Sequence, residues 1–224
     1  MSGHERLKLW KMHHPVRGLL HGSAAILSVV GGAALWARAE FDSSRQLALL
    51  VFAASLVGLY TVSSLYHSVP WERTWKDRMQ RLDHSMIYVL VAGTYTPIAF
   101  VVLEGPARAI ALSVVWGIAA AGILQKIAFP NVGLWLSITL QMIQGWFGLL
   151  FFLPLAERLP APALFLLALG GVLYSVGMVM LVTERPRLWP HVFSYHEVFH
   201  VFVIGGSAAH YAMTLFYVVP FIPV

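Results

Sequence analysis

The chain has 224 residues, 58% of them hydrophobic and 11% charged, with a mean hydropathy of +0.73, a balance that excludes an ordinary soluble domain and indicates a polytopic membrane protein. A formal charge of +5 would suggest nucleic acid in a soluble protein, but in a membrane protein basic residues mark the cytoplasmic loops, so no nucleic-acid partner is expected. With no cysteine, disulfides and thiolate ligands are excluded, and any metal must be held by nitrogen or oxygen.

The opening segment MSGHERLKLWKMHHPVRG is too polar for a signal-peptide core, and no small-residue cleavage site follows a short apolar stretch, so the first apolar span is expected to stay in the mature protein. A spanning helix needs about 20 mostly apolar residues. Seven stretches meet that need, near 18–37, 46–67, 80–103, 107–125, 132–154, 161–182 and 196–219. The gaps hold polar and helix-breaking residues such as EFDSSR, PWERTWKDR, EGP, FPN, ERLPAP and ERPRLWPH. Connections this short leave no room for a second domain, so residues 1–224 are expected to form a single all-α, seven-helix membrane domain.

Orientation follows from the cations. Arg6, Lys8, Lys11, Arg17, Arg73, Lys76, Arg78, Arg81, Lys126, Arg185 and Arg187 fall on one side, against Arg38, Arg45, Arg108 and Arg158 on the other. The positive-inside rule then puts the N-terminus in the cytoplasm and the C-terminus outside a cell (inner) membrane.

Ionisable groups inside a membrane are costly, so each is a functional hypothesis. Only two acids, Asp83 and Glu197, fall within the predicted spans, together with or near His21, His67, His84, His196, His200 and His210. Span two ends inside with His67, span three starts inside with Asp83 about one turn in, and span seven starts inside with His196 and His200. Three remote spans therefore deliver three histidines and an aspartate to one leaflet. His196 and His200 lie on one helix face, about 5.4 Å apart, so both imidazoles can reach one ion. Ser63 has the same spacing from His67. Three neutral imidazoles leave zinc an open tetrahedral position for water, the arrangement of a catalytic site. Asp83 could accept the proton of that water as it attacks a carbonyl.

Other readings attach to the same residues. His196-Glu197-Val198-Phe199-His200 matches H-E-x-x-H, in which Glu197 would be the base of an intramembrane protease. The extended form of that motif would need a histidine where Gly206 stands, and His67 better supplies the third ligand. Haem ligation suits three histidines and an aspartate at one depth less well than Zn2+. His21 and His84 read as interfacial residues. His210 lies ten positions past His200, about 15 Å of helix, too deep to share an ion. In AGTYTPIAF, Pro97 is expected to kink span three, with Thr94 and Thr96 satisfying the freed backbone groups. The Gly31-Gly32, Gly170-Gly171 and Gly205-Gly206 pairs read as close helix packing.

Taken together, Ser63 to His67, Leu82-Asp83, GTYTP at Gly93 to Pro97, His196 and His200 with the later His210, and His21-Gly22 resemble the hemolysin III family. That family lies within the progestin and adipoQ receptor group, whose eukaryotic members include the adiponectin receptors. The resemblance covers nearly the whole chain. It implies a bundle of seven helices with zinc near the cytoplasmic face, held by residues matching His67, His196 and His200, with Asp83 reaching the metal through water and Ser63 close by. It also implies membrane lipids as environment and as substrate, since the receptor branch is associated with hydrolysis of ceramide-like lipid amides. The bacterial branch takes its name from haemolytic activity, and the short loops and tail resemble that branch. A receptor-like or pore-forming protein with a structural zinc is the competing expectation. The oligomeric state is unread.

Overall fold

The computed structural model describes residues 12–39, 42–129, 134–189 and 192–222. Arg6, Lys8 and Lys11, three of the cations behind the expected orientation, lie outside the described residues. The elements, in chain order, are α1 (Pro15–Arg38), α2 (Ser43–Ser68), α3 (Arg73–Val102), α4 (Gly105–Ala128), α5 (Leu134–Trp146), α6 (Phe152–Ala156), α7 (Ala161–Thr183) and α8 (Tyr195–Met213). A 3₁₀ stretch, Phe147–Phe151, joins α5 to α6, and a π turn, Thr214–Val218, prolongs α8. Among the described residues this makes seven helical segments long and apolar enough to cross a membrane, and no strand.

The polarity pattern is that of a body solvated by lipid. Ile26, Leu150 and Leu153 are 69%, 75% and 71% exposed, whereas His67, Gln144 and His200 are at most 3% exposed. Apolar side chains face outward and polar ones inward, because lipid cannot hydrogen-bond. Successive spans alternate in direction, and the short connections pack α1 on α2, α2 on α3, α3 on α4, and α7 on α8. One end of the bundle, called the polar end below, therefore gathers the starts of α1, α3, α5 and α8 and the ends of α2, α4 and α7. The other end is closed by an apolar cluster that includes Ile98, Val102, Phe151, Leu155, Met213 and Val218.

Three details depart from the sequence reading. Helix α3 begins at Arg73 rather than near 80. RTWKDRMQ contains no helix breaker, so α3 continues beyond its apolar stretch and places Asp77 on a helix. Span five runs to Ala156 and is broken in the middle. Tyr95 of GTYTP accounts for the break: its hydroxyl donates to the Gly145 carbonyl and accepts the Gly148 N–H, both at 2.7 Å, replacing bonds a regular helix would make internally. Finally, the threonine hydroxyls do not serve the carbonyl that Pro97 frees. Thr94 and Thr96 donate to the carbonyls of Leu90 and Ala92, each at 2.8 Å, the i−4 bonding available to any helical threonine.

Candidate metal centre

The polar end is assembled by short-range chemistry. Ser194 caps α8, and Glu197 completes a capping box by accepting the Ser194 N–H at 2.8 Å. The other Glu197 oxygen accepts from Arg17 Nε at 2.6 Å, tying the first turn of α8 to the first turn of α1. That cap fixes where α8 begins, and so where His196 and His200 point. The end of α2 is held from the other side. The His14 N–H donates to the His67 carbonyl at 2.8 Å, the His13 N–H to the Ser68 carbonyl at 3.1 Å, and the Ser64 hydroxyl to the Gly18 carbonyl at 2.8 Å. Gly18 permits this approach, since a Cβ there would overlap the Ser68 hydroxyl. Burial and the positive charge of Arg17 bring the His14 imidazole down to about 4, so it stays neutral beside the site at ordinary pH.

Within this frame His67, His196 and His200 converge. Their ring centroids form a nearly equilateral triangle with sides of 5.1, 5.0 and 5.0 Å. One ring nitrogen from each lies within 4.8 Å of the others. His67 Nε2 and His200 Nδ1 are buried without a hydrogen-bond partner among the described residues. A buried polar nitrogen left unpaired is unfavourable by about 1–3 kcal/mol, and here such nitrogens gather in an otherwise apolar interior. Three imidazoles with a ring nitrogen each near one point are a donor set for a transition-metal dication. His21 stacks on His200 with ring centroids 3.8 Å apart and planes 12° from parallel, bracing that ring.

The triad opens onto a cavity of about 350 Å³. Its wall includes α3 from Gln80 to Leu103, a stretch that spans about 35 Å of helix, the full depth of a bilayer core. At the polar end Ser63, Asp83, His84, Lys126, Gln141, His196 and His200 line it; beyond them the wall is mainly aliphatic and aromatic. Asp83 faces the Ser63 hydroxyl across the α2–α3 contact. Its carboxylate is not part of the 4.8 Å cluster of ligand atoms, so it stands off from the point the histidines share.

Each expected site residue thus has a defined place. Both carboxylate oxygens of Glu197 are engaged, by the helix cap and by Arg17. His84 lines the cavity beside Lys126. His210 is remote from the triad: its Nε2 donates to the Leu167 carbonyl at 3.1 Å, and Gly170 leaves room for its ring, which a Cβ would overlap. Several working residues escaped the sequence reading. Arg17 and Lys126 were counted only as cations flanking spans, yet Arg17 holds Glu197 and Lys126, 9% exposed, sits in the last turn of α4 facing inward. Gln144, fully buried, donates to the carbonyls of Tyr88 and Val115 at 3.1 and 3.0 Å. Extending the search from ionisable groups to amides within spans would have found Gln141 and Gln144.

A bundle of seven apolar helices with a histidine triad at one end of an intramembrane cavity defines a multi-pass membrane protein with a candidate metal centre. The sequence profile of the family described as Haemolysin-III related matches residues 10–211, and the chain belongs to that family. It is 37% identical over 204 residues to Hemolysin-3 of Bacillus cereus, covering 90% of each chain. To the Hemolysin-3 homolog of Bacillus subtilis (strain 168) it is 39% identical over 169 residues, covering 75% of this chain and 76% of that one. It is 24% identical over 190 residues to the human Monocyte to macrophage differentiation factor, a member of the related progestin and adipoQ receptor group, covering 83% and 76%.

Proposed function

We propose that this protein is a zinc-dependent hydrolase of a lipid amide or ester, working within a cell membrane with its metal end toward the cytoplasm. The observation that carries this reading is the convergence of three histidines, two of them with a buried unpartnered nitrogen, at the polar end of a bilayer-deep, mainly apolar cavity that also holds a carboxylate and a hydroxyl. His67, His196 and His200 would hold the ion. Zinc bound there supplies Lewis acidity toward a carbonyl and acidifies a water.

The chain's own residues do the rest. Asp83, set back from the shared point of the histidines, accepts the proton of the attacking water and can return it to the leaving amine or alcohol. Ser63, facing Asp83, fixes the direction of that carboxylate and can donate to the oxygen on which negative charge develops. The aliphatic wall holds an acyl chain and keeps bulk water away, so each of these interactions acts in a medium of low dielectric. Glu197, committed to Ser194 and Arg17, positions His196 and His200 and is not assigned the base. Eight of the twelve cations in the described residues stand at the polar end by the alternation of spans: Arg17, Arg73, Lys76, Arg78, Arg81, Lys126, Arg185 and Arg187. That supports a cytoplasmic placement of this end.

The test uses purified, zinc-loaded protein in detergent or lipid nanodiscs with long-chain lipid amides and esters, reading fatty acid released. Asp83→Asn is expected to keep its metal and lose turnover by about 10²- to 10⁴-fold. Full turnover in that variant would remove Asp83 from the mechanism, and no turnover by the metal-loaded wild type would remove the hydrolase. The hemolysin names of the Bacillus relatives favour a second reading, a membrane-permeabilising or receptor-like protein in which a structural metal clamps α2, α3 and α8. Dye and ion release from liposomes, measured beside lipid hydrolysis, separates the two.

A further inference from the structure

The cavity's other polar feature is not used by the chemistry above. Lys126 is only 9% exposed, while Ile127 and Phe129, its near neighbours in the chain, are 65% and 63% exposed. A lysine near a helix C-terminus ordinarily extends its ammonium to the interface, where water and the helix dipole both favour it. Lys126 instead lines the cavity, and among the described residues it has neither a hydrogen-bond nor an ion-pair partner. The one carboxylate on the cavity wall, Asp83, faces Ser63. Gln141 lines the same space, is 8% exposed and likewise has no hydrogen-bond partner among the described residues. The Ser137 hydroxyl, donating to Gln125 Oε1 at 3.1 Å, sets the start of α5 beside the end of α4. Gln141 follows one turn later on the face of α5 that carries Ser137. His84 completes the group, close enough to Lys126 to feel its charge.

An ammonium with no counter-charge beside it is unfavourable in surroundings of low polarity, and Lys126, with an unused amide and an imidazole, lines a cavity whose wall beyond the polar end is mainly aliphatic and aromatic over the depth of a bilayer core. We infer that the cavity binds a single-chain lipid bearing an anionic oxygen-acid head, a phosphate or a carboxylate, with the head on Lys126 and Gln141 and the chain along α3. That such a lipid is the substrate or product class rests on the hydrolase reading; that it binds does not.

The experiment uses the full-length protein freed of metal by chelation, so that no anion can be held by the histidine triad. Native mass spectrometry compares a long-chain alkyl phosphate, a fatty acid and a fatty alcohol of equal chain length, none of which contains a carboxylic ester or an amide. At least one anionic lipid is expected to bind about tenfold or more tighter than the alcohol, and the stronger of the two identifies the head group. Lys126→Gln and Lys126→Met should each erase that preference while leaving alcohol binding unchanged, and Lys126→Arg should retain it. Equal binding of all three lipids by the wild type overturns the inference, as does a preference that survives loss of the ammonium in whichever neutral variant folds. Because these probes report binding alone, failure here leaves the hydrolase reading standing, and absence of turnover on amides and esters leaves this one standing.

Discussion

Two polar clusters sit inside this bundle and differ in how far their polar atoms pair with the protein. Near the middle of the bundle, the hydroxyls of Tyr60 and Tyr174 each lie 2.7 Å from the Ser207 hydroxyl, and His210 donates to the Leu167 carbonyl. Every residue of that group has a protein partner, though His210 Nδ1 is left without one among the described residues, and the group joins α2, α7 and α8. At the polar end, His67 Nε2 and His200 Nδ1 are buried with no such partner among the described residues, in a triad whose ring nitrogens converge. Native interiors pair their buried polar groups, so a cluster tied mainly by its own hydrogen bonds serves the fold, and one whose nitrogens converge unpaired marks a place where something else binds. The difference lies in which atoms remain free, since histidine, hydroxyl and burial are common to both clusters.

The largest effect that would sharpen this contrast is loss of a triad member. His200→Ala is expected to lower metal affinity by more than about 100-fold, beyond what loss of a supporting group costs, read as metal per protein after purification. Chelating the wild type should lower its thermal stability, by about 4 kcal/mol if the metal had been present at a thousand times its dissociation constant. The variant should show no such response to chelation. Unchanged metal content in His200→Ala would dissolve the distinction between the clusters.

Next in size is the complementary test on the mid-bundle cluster. Gly170→Ala puts a Cβ into the space of the His210 ring and breaks the bond to Leu167. Overpacking of this kind costs about 1–3 kcal/mol. Metal content should stay that of the wild type while the unfolding midpoint in denaturant falls. If metal is lost as well, the two clusters act as one unit, and the mid-bundle bonds support the site.

The contrast also explains what the sequence could and could not disclose. Seven spans were visible because about 20 apolar residues are what a bilayer demands, and the pair His196 and His200 was visible because helical spacing is rigid. The approach of His67 to that pair followed from alternating topology, which sets depth from span order alone. What stayed hidden was partnership. Glu197 carries the most familiar motif in the chain, yet its role depends on Ser194 nearby and on Arg17, 180 positions away, and no local pattern encodes the second of these. Lys126 is one residue past the expected end of span four and was placed with the loop cations; whether a lysine there turns inward depends on α3 and α5. The break in span five is made by Tyr95 of α3, so the sequence of span five alone contains no account of it.

The smallest expected effect lies among exposed residues, at the end of the bundle opposite the histidine triad, and tests whether polar pairing there follows surface rules. Arg158, just past α6, bonds the Glu104 carboxylate at 2.9 and 3.0 Å and the Val102 carbonyl at 3.0 Å, joining the α3–α4 turn to the α6–α7 turn. Hydrogen bonding and charge from Arg158 hold the Glu104 carboxyl below its ordinary value of 4.5. A carboxyl depressed in the folded state stabilises the fold fully above its unfolded pKa, and that contribution fades as pH falls through the folded value. Arg158→Gln should therefore lower thermal stability slightly at neutral pH, with a deficit that shrinks as pH falls below 4.5. Salt should shrink it too, because both partners reach solvent. A deficit that is large, or indifferent to pH and salt, would mean that Arg158 acts mainly through the Val102 carbonyl, as a backbone clamp like the His210 bond to the Leu167 carbonyl.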